Sequence, residues 1–182
     1  MSDWNEFRMS ATMEAVLKGY SDPRMPVYFL PAVKTGTFEG ERNGLTATQL
    51  TAPVNLQDAN SHVGPRWASQ NYPGGTAGYL STPQNVMSTA EAYFLRAEGA
   101  LLGWSMGGTP QVLYETGITN SFKQWGITDA ATIQGYINST TTPIAPNDFL
   151  NSPPVTNIPV KWNAATGLEQ IALQKWIAIF PD

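Results

Sequence analysis

The chain has no cysteine and a single histidine, His62. The missing thiols exclude a disulfide framework and a thiolate metal site, and they leave the cellular compartment open. With one histidine, a hydrolytic triad would rest on a lone loop residue beside Ser61. Charge is scarce as well. Only 13% of the 182 residues are charged, about half the usual share, and the net charge is −4 with no basic run. That balance argues against a nucleic-acid partner. No apolar run, that ending at residues 177–180 included, approaches the roughly 20 residues a membrane helix needs. The opening MSDWNEFRMS lacks the basic region and apolar stretch of a signal peptide. Phosphate loops, dinucleotide fingerprints and His/Cys metal spacings are missing too, so no cofactor and no metal is expected.

Glycine, proline and neutral hydrogen-bonding residues fill the space that charge leaves, with 16 Gly and 14 Pro in one chain. Such a composition suits long ordered loops between helices. The best-defined helix covers residues 88–104, STAEAYFLRAEGALLGW. Ser88 and Glu91 have capping-box spacing, and Ala90, Tyr93, Phe94, Ala97 and Leu101 form one apolar stripe. A first helix is expected over residues 4–19, with Trp4 and Phe7 extending the stripe of Met9, Met13, Val16, Leu17 and Tyr20. Asp22-Pro23-Arg24 then turns the chain. That pair reads either as an acid–base couple or as a turn residue and a solvated or ion-paired arginine. PVYFLPAV, residues 26–33, reads as a buried extended segment or an edge strand.

Residues 34–83 show no sustained period and are expected to form a long ordered excursion with at most a short hairpin. Thr109 and Pro110 open a helix to about residue 125 that buries Val112, Leu113, Ile118, Phe122 and Trp125. Thr128 caps a shorter one with Ile133, Tyr136 and Ile137 inward. A proline-rich loop over 140–165 precedes the last helix, residues 166–180. That helix is apolar nearly all round and should be central, packing on the 88–104 helix with Phe94, Leu101, Ile171 and Trp176 buried. The fold class is therefore mainly α, a single unit over 1–182.

Enzyme chemistry has little to work with. Glu39 and Glu41 are close in sequence, but nothing in the sequence raises the pKa of either. Binding fits better. Arg66, Trp67, Gln70, Asn71, Tyr72 and Tyr79 put aromatic faces beside amide and guanidinium groups in one glycine-rich stretch, the mixture that sugar sites use. The same aromatics also suit a purely structural task, anchoring the loop.

Three stretches together, SDPRMPVYF, STAEAYFLRAEGALLGW and TGLEQIALQKWIAIFPD, resemble the C-terminal half of SusD/RagB-type proteins, in the SusD-like branch. The likeness spans most of the chain and is loosest in residues 34–83. It implies tetratricopeptide-like helix pairs with long loops. It also implies a surface-exposed lipoprotein of the Bacteroidetes outer membrane that binds glycans or other nutrients and delivers them to a TonB-dependent, SusC-like transporter. The alternative is a helical protein–protein module with no small ligand of its own. The resemblance assigns no individual ligand residue. Family members carry an acylated cysteine and N-terminal repeats and continue past the QKWIAIFP-like helix, so the chain reads as a portion of a longer protein. Its apolar end helices then predict that the isolated chain self-associates or needs its N-terminal repeats, with Trp4, Phe7 and Phe180 among the contacts, since monomers rarely expose apolar patches beyond a few hundred Å².

Overall fold

A computed structural model describes residues 7–146 and 148–181. Among these residues there are seven α-helices and no strand, only isolated β-bridges. The described residues pack as two compact units, one within 1–83 and 143–157 and one within 84–142 and 158–182.

In the first unit, α1 (Ala11–Gly19) starts at Ser10, whose hydroxyl accepts from Met13 N–H at 3.2 Å. The expected start at Trp4 lies outside the described residues, but residues 8–10 already correct the helix length. Met9 N–H donates to Ser61 O, Glu41 N–H to Met9 O, and Ala11 N–H to Glu41 O, so this stretch is extended and paired. A backbone committed to those partners cannot also close helical turns. Met9, Met13, Val16, Leu17 and Tyr20 are buried as the stripe requires, while Phe7 is exposed.

Buried polar groups organise this unit. Glu14, on the inner face of α1, accepts from Lys18 Nζ at 2.7 Å and from Gly40 N–H at 2.8 Å. Gly40 is needed for that approach, because a Cβ there would sit 2.5 Å from Ser10 O. Asp22 and Arg24 form a fully buried ion pair: Oδ2 lies 2.5 Å from Nη2, and Oδ1 accepts from both Nε and the Arg24 N–H at 2.9 Å. The couple is therefore structural. Residues 26–33 begin with helix rather than strand, since α2 (Met25–Tyr28) makes one proline-started turn. Phe29 is extended, bridging Val63 in antiparallel fashion, and Leu30 N–H donates to His62 O at 2.9 Å. A short α3 (Ala47–Leu50) opens with a complete Thr46–Gln49 capping box.

In the second unit, α4 (Thr89–Leu101) and α5 (Pro110–Gln124) pack as a pair joined by residues 102–109. Ser88 Oγ accepts from Glu91 N–H at 3.0 Å, and Thr109 Oγ1 from Val112 N–H at 3.3 Å, both as the spacing predicts. Gly117 admits Phe94 into the seam: a Cβ on it would lie 2.7 Å from the ring. Val112 faces solvent instead of the core. In α6 (Ala130–Ile137) the cap is Asp129, not Thr128. Its carboxylate accepts from the Thr132 N–H and hydroxyl, each at 2.7 Å, a bond a threonine one residue earlier cannot reach.

The last helix, α7 (Gly167–Ala178), packs on α4 and α5 as expected, but not as an apolar cylinder. Phe94 and Ile171 are buried, Leu101 is half-buried, and Trp176 stands 36% exposed, which corrects the expectation of an interior Trp176. The inward face is Gln170, Ile171, Gln174, Ile177 and Ala178. Gln170 Nε2 donates to Pro159 O (2.8 Å) and Lys161 O (2.7 Å), and its Oε1 accepts from Asn163 N–H at 2.9 Å. Gln174 meets the Tyr136 hydroxyl at 3.0 Å, and Tyr114 OH donates to Val160 O at 2.7 Å. With both glutamines turned in, helical geometry turns Leu168 and Trp176 out.

Two stability measurements follow. Phe94→Ala removes a fully buried ring and should cost about 3–5 kcal/mol, with Trp176→Ala costing clearly less, read by urea unfolding. Arg24→Ala should cost a similar 3–5 kcal/mol by stranding the Asp22 carboxylate, whereas the paired Asp22→Asn, Arg24→Met change should recover most of that loss.

Candidate ligand-binding loop

Residues 64–83 form a tied loop in the first unit. Gly64 enters it against the 27–28 backbone, where a Cβ would lie 2.1 Å from Val27 O, and its N–H donates to Tyr28 O at 2.7 Å. Ser69 and Thr76 bridge across the loop, and Thr76 N–H reaches Ala68 O at 3.1 Å. Gly75 lies so close to Ser69 that a Cβ would fall 1.9 Å from its carbonyl oxygen. Hydroxyls finish the knot: Thr76 Oγ1 donates to Pro65 O at 3.0 Å, Ser81 Oγ to Gly78 O at 3.0 Å, and Thr82 Oγ1 to Arg66 O. The loop is ordered by backbone closure before any ligand is considered.

The six residues singled out from sequence take different places on this loop. Trp67 is 6% exposed, an interior anchor with the Arg66 guanidinium carbon 5.8 Å from its ring centroid. Arg66 is half-buried, and its Nη2 donates to Pro83 O at 3.2 Å. Tyr72 stacks on His62, with centroids 4.2 Å apart and planes at 27°. Its hydroxyl is buried and bonds to no described residue. Gln70 and Asn71 are exposed, and Tyr79 is half-buried in the turn of Ala77–Ser81. The outward groups are thus two amides, one arginine and one tyrosine edge, carried on a base made of Trp67, Tyr72 and His62.

His62 as the floor under Tyr72 was not foreseeable, because 10 residues separate the two and no periodicity links them. His62 is fully buried, with its Nδ1 3.2 Å from Val63 O. Burial pushes its pKa down, with the nearby Arg8 adding to the effect against the Val63 hydrogen bond. Burial also raises the Tyr72 phenol, opposed by Arg8. Glu41 departs from the sequence reading, since burial raises its carboxyl and Arg8 only partly offsets that. Glu39 accepts from Thr37 Oγ1 at 2.6 Å and lies 3.5 Å from Lys18 Nζ. Among the described residues, no group of three His, Cys, Asp or Glu is placed to hold a metal.

Two open clefts lie elsewhere in the unit. One of about 330 Å³ lies between Lys34, Glu39, Val54 and Asn60, and one of about 320 Å³ between Arg8, Ser10, Glu41 and Asn43. The proline-rich segment is held beside the second one by Asp148, which accepts from Arg42 Nη1 at 3.0 Å and from the N–H groups of Leu150 (3.0 Å) and Ser152 (2.9 Å). Burial alone would raise the Asp148 carboxyl, but the bonds from Ser152, Arg42 and Leu150 outweigh it and bring the pKa to about 2.

The chain matches the SusD-like family, described as SusD and RagB outer membrane lipoprotein, over residues 1–182. It belongs to that family. Among solved structures, it is similar to a chitin-binding SusD homologue from Flavobacterium johnsoniae at 38% identity and TM-score 0.78, covering 100% of this chain and 36% of that one. A SusD homologue from Bacteroides thetaiotaomicron shares 33% identity with TM-score 0.79, covering 99% and 36%. A second SusD-like protein of that species shares 34% with TM-score 0.72, covering 94% and 35%. The chain therefore spans a little over a third of these relatives. No curated protein matches it.

The pKa shifts define an acid profile. Asp148 stabilises the fold fully above its ordinary value of 3.8, and that contribution, about 2 kcal/mol, is lost as the pH falls towards 2. His62, held below 6.5, makes the unfolded chain the better proton acceptor, so stability should already decline below about pH 6.5. Asp148→Asn should flatten the lower limb and His62→Gln the upper one, as read by thermal unfolding across pH.

Proposed function

We infer that this chain contributes to a glycan- or nutrient-binding lipoprotein of the outer membrane, which passes its ligand to a TonB-dependent, SusC-like transporter. The observation that carries the reading is the tied 64–83 loop, which holds Gln70, Asn71, Arg66 and Tyr79 outward on a closed frame. Amide and guanidinium groups answer sugar hydroxyls, and a tyrosine edge answers the C–H face. A frame already ordered spares the ligand much of the entropy of arranging its site. The family description names an outer membrane lipoprotein, and the Flavobacterium relative is chitin-binding, which makes N-acetylglucosamine oligomers the first ligands to test. No described helix is long and apolar enough to cross a membrane.

We read it as a binding protein and not an enzyme, because two of the three groups that could do acid–base work, His62 and Glu39, have structural duties. His62 is fully buried under Tyr72, and Glu39 is engaged by Thr37 and Lys18. The second reading, a protein–protein module, draws on exposed apolar residues, Leu80 within the loop at 79% exposed, and Val86 (96%) and Met87 (80%) after it.

The test is calorimetric titration of the purified chain with chitin oligosaccharides and a panel of other glycans. Tyr79→Ala should weaken binding roughly 3- to 10-fold, the measure of a lost aromatic contact. Gln70→Ala with Asn71→Ala should add to that loss. Trp67→Ala should instead lower the melting temperature, as an interior anchor does. Glycan binding untouched by any of these changes would move the site off this loop. Absence of glycan binding together with capture of the transporter would favour the protein–protein reading.

A further inference from the structure

Asn43 and Gly44 are the sole Asn-Gly pair in the sequence. Both are exposed, in the turn that follows the Glu41 bridge. Gly44 has φ +81°, and nothing lies within 4 Å of where its Cβ would be. Its N–H donates to no described residue, whereas Glu41 just before the turn is tied on both sides, to Met9 O and Ala11 N–H. The Asn43 side chain makes no hydrogen bond to a described residue either. Several other asparagine amides are engaged: Asn60 Nδ2 donates to Val54 O and Leu56 O, Asn55 Nδ2 to Gln49 O, and Asn138 Nδ2 to Gln134 O. Asn85 and Asn157 are followed by Val and Ile, whose branched side chains crowd the next nitrogen.

We propose that Asn43 is a site of spontaneous deamidation and isomerisation, which turns a neutral position on the rim of the 320 Å³ cleft into an acidic one. The Gly44 amide nitrogen attacks the Asn43 side-chain carbonyl carbon. A bond forms between that nitrogen and Cγ, the Cγ–Nδ2 bond breaks, and the nitrogen's proton leaves with Nδ2 as ammonia. Water then opens the five-membered succinimide at either carbonyl, leaving aspartate or isoaspartate, each with a new carboxylate. Glycine is the residue that best permits the attack, because it places no Cβ beside the nucleophile and moves freely through φ and ψ. The new charge enters a cleft that already holds Arg8, Glu41 and Arg42, and it takes the net charge of the chain from −4 to −5. The isoaspartate product also adds a carbon to the main chain two residues after the Glu41 pairing.

The experiment is peptide mapping of the full chain, with fragmentation, after incubation in mildly alkaline and mildly acidic buffers. The tryptic peptide 43–66 should gain about 1 Da at position 43, as loss of an amide requires. The gain should be faster in the alkaline buffer and accompanied by an acidic shift on ion exchange. Isoaspartate at that position should accept a methyl group from an isoaspartyl methyltransferase. Asn43→Gln, which keeps Gly44 and the turn, should abolish both signals. An unchanged mass at 43, an equal gain at Asn85 and Asn157, or an acidic shift that survives in Asn43→Gln would each overturn the proposal.

Discussion

A chain with this much irregular backbone has to find hydrogen-bond partners for peptide groups that no helix or sheet will satisfy. An unpaired buried peptide group carries a penalty comparable to a lost hydrogen bond, so the supply of internal acceptors and donors limits how long the loops can be. Here the supply is a set of buried polar side chains. Glu14 receives Gly40 N–H, and Asn60 serves Val54 O and Leu56 O. Asp148 takes two N–H groups of its own turn, and Gln170 holds Pro159, Lys161 and Asn163 at once. Each of these residues sits inside the fold because backbone needs it there.

The candidate loop follows the same rule on a smaller scale. Its backbone closes on itself through Ser69, Thr76 and Thr82, Trp67 points inward to be packed, and Tyr72 stacks on His62. That division leaves the short polar residues facing out. A surface made this way owes its shape to the closed frame beneath it, so a substitution at Trp67 and one at Asn71 act on different things. The first alters the frame and the second alters only what the frame presents.

Glycine supplies the other half of the construction. Gly40, Gly64, Gly75 and Gly117 lie where a Cβ would overlap a neighbouring carbonyl or ring. Close approach of two backbones, or of a ring to a helix, is how loops and helices here share so small an interior. The overlap at Gly75 is with backbone, which cannot rotate away. The overlap at Gly117 is with the Phe94 ring, whose position in turn sets the α4–α5 seam.

Local order determined much of what was legible beforehand. The caps at Ser88 and Thr109, the proline start of α5 and the buried stripe of α1 depend on residues within one or two turns of each other, so they could be read directly. The mainly helical class and the family likeness rest on the same short-range patterns. Most of what failed depended on distant partners. Residues 8–10 are extended because residues 41 and 61 pair with them, and Phe29 is extended because Val63 does. Of the six loop residues, side-chain chemistry alone marked them as a group. Only the packing of His62 and the closure at Ser69–Thr76 decided that Trp67 turns in while Gln70 and Asn71 turn out. Helix α7 shows the reason most plainly. Counting apolar residues made Trp176 interior, but the carbonyls of residues 159–161 demanded donors, and Gln170 could reach them only by taking the inner face.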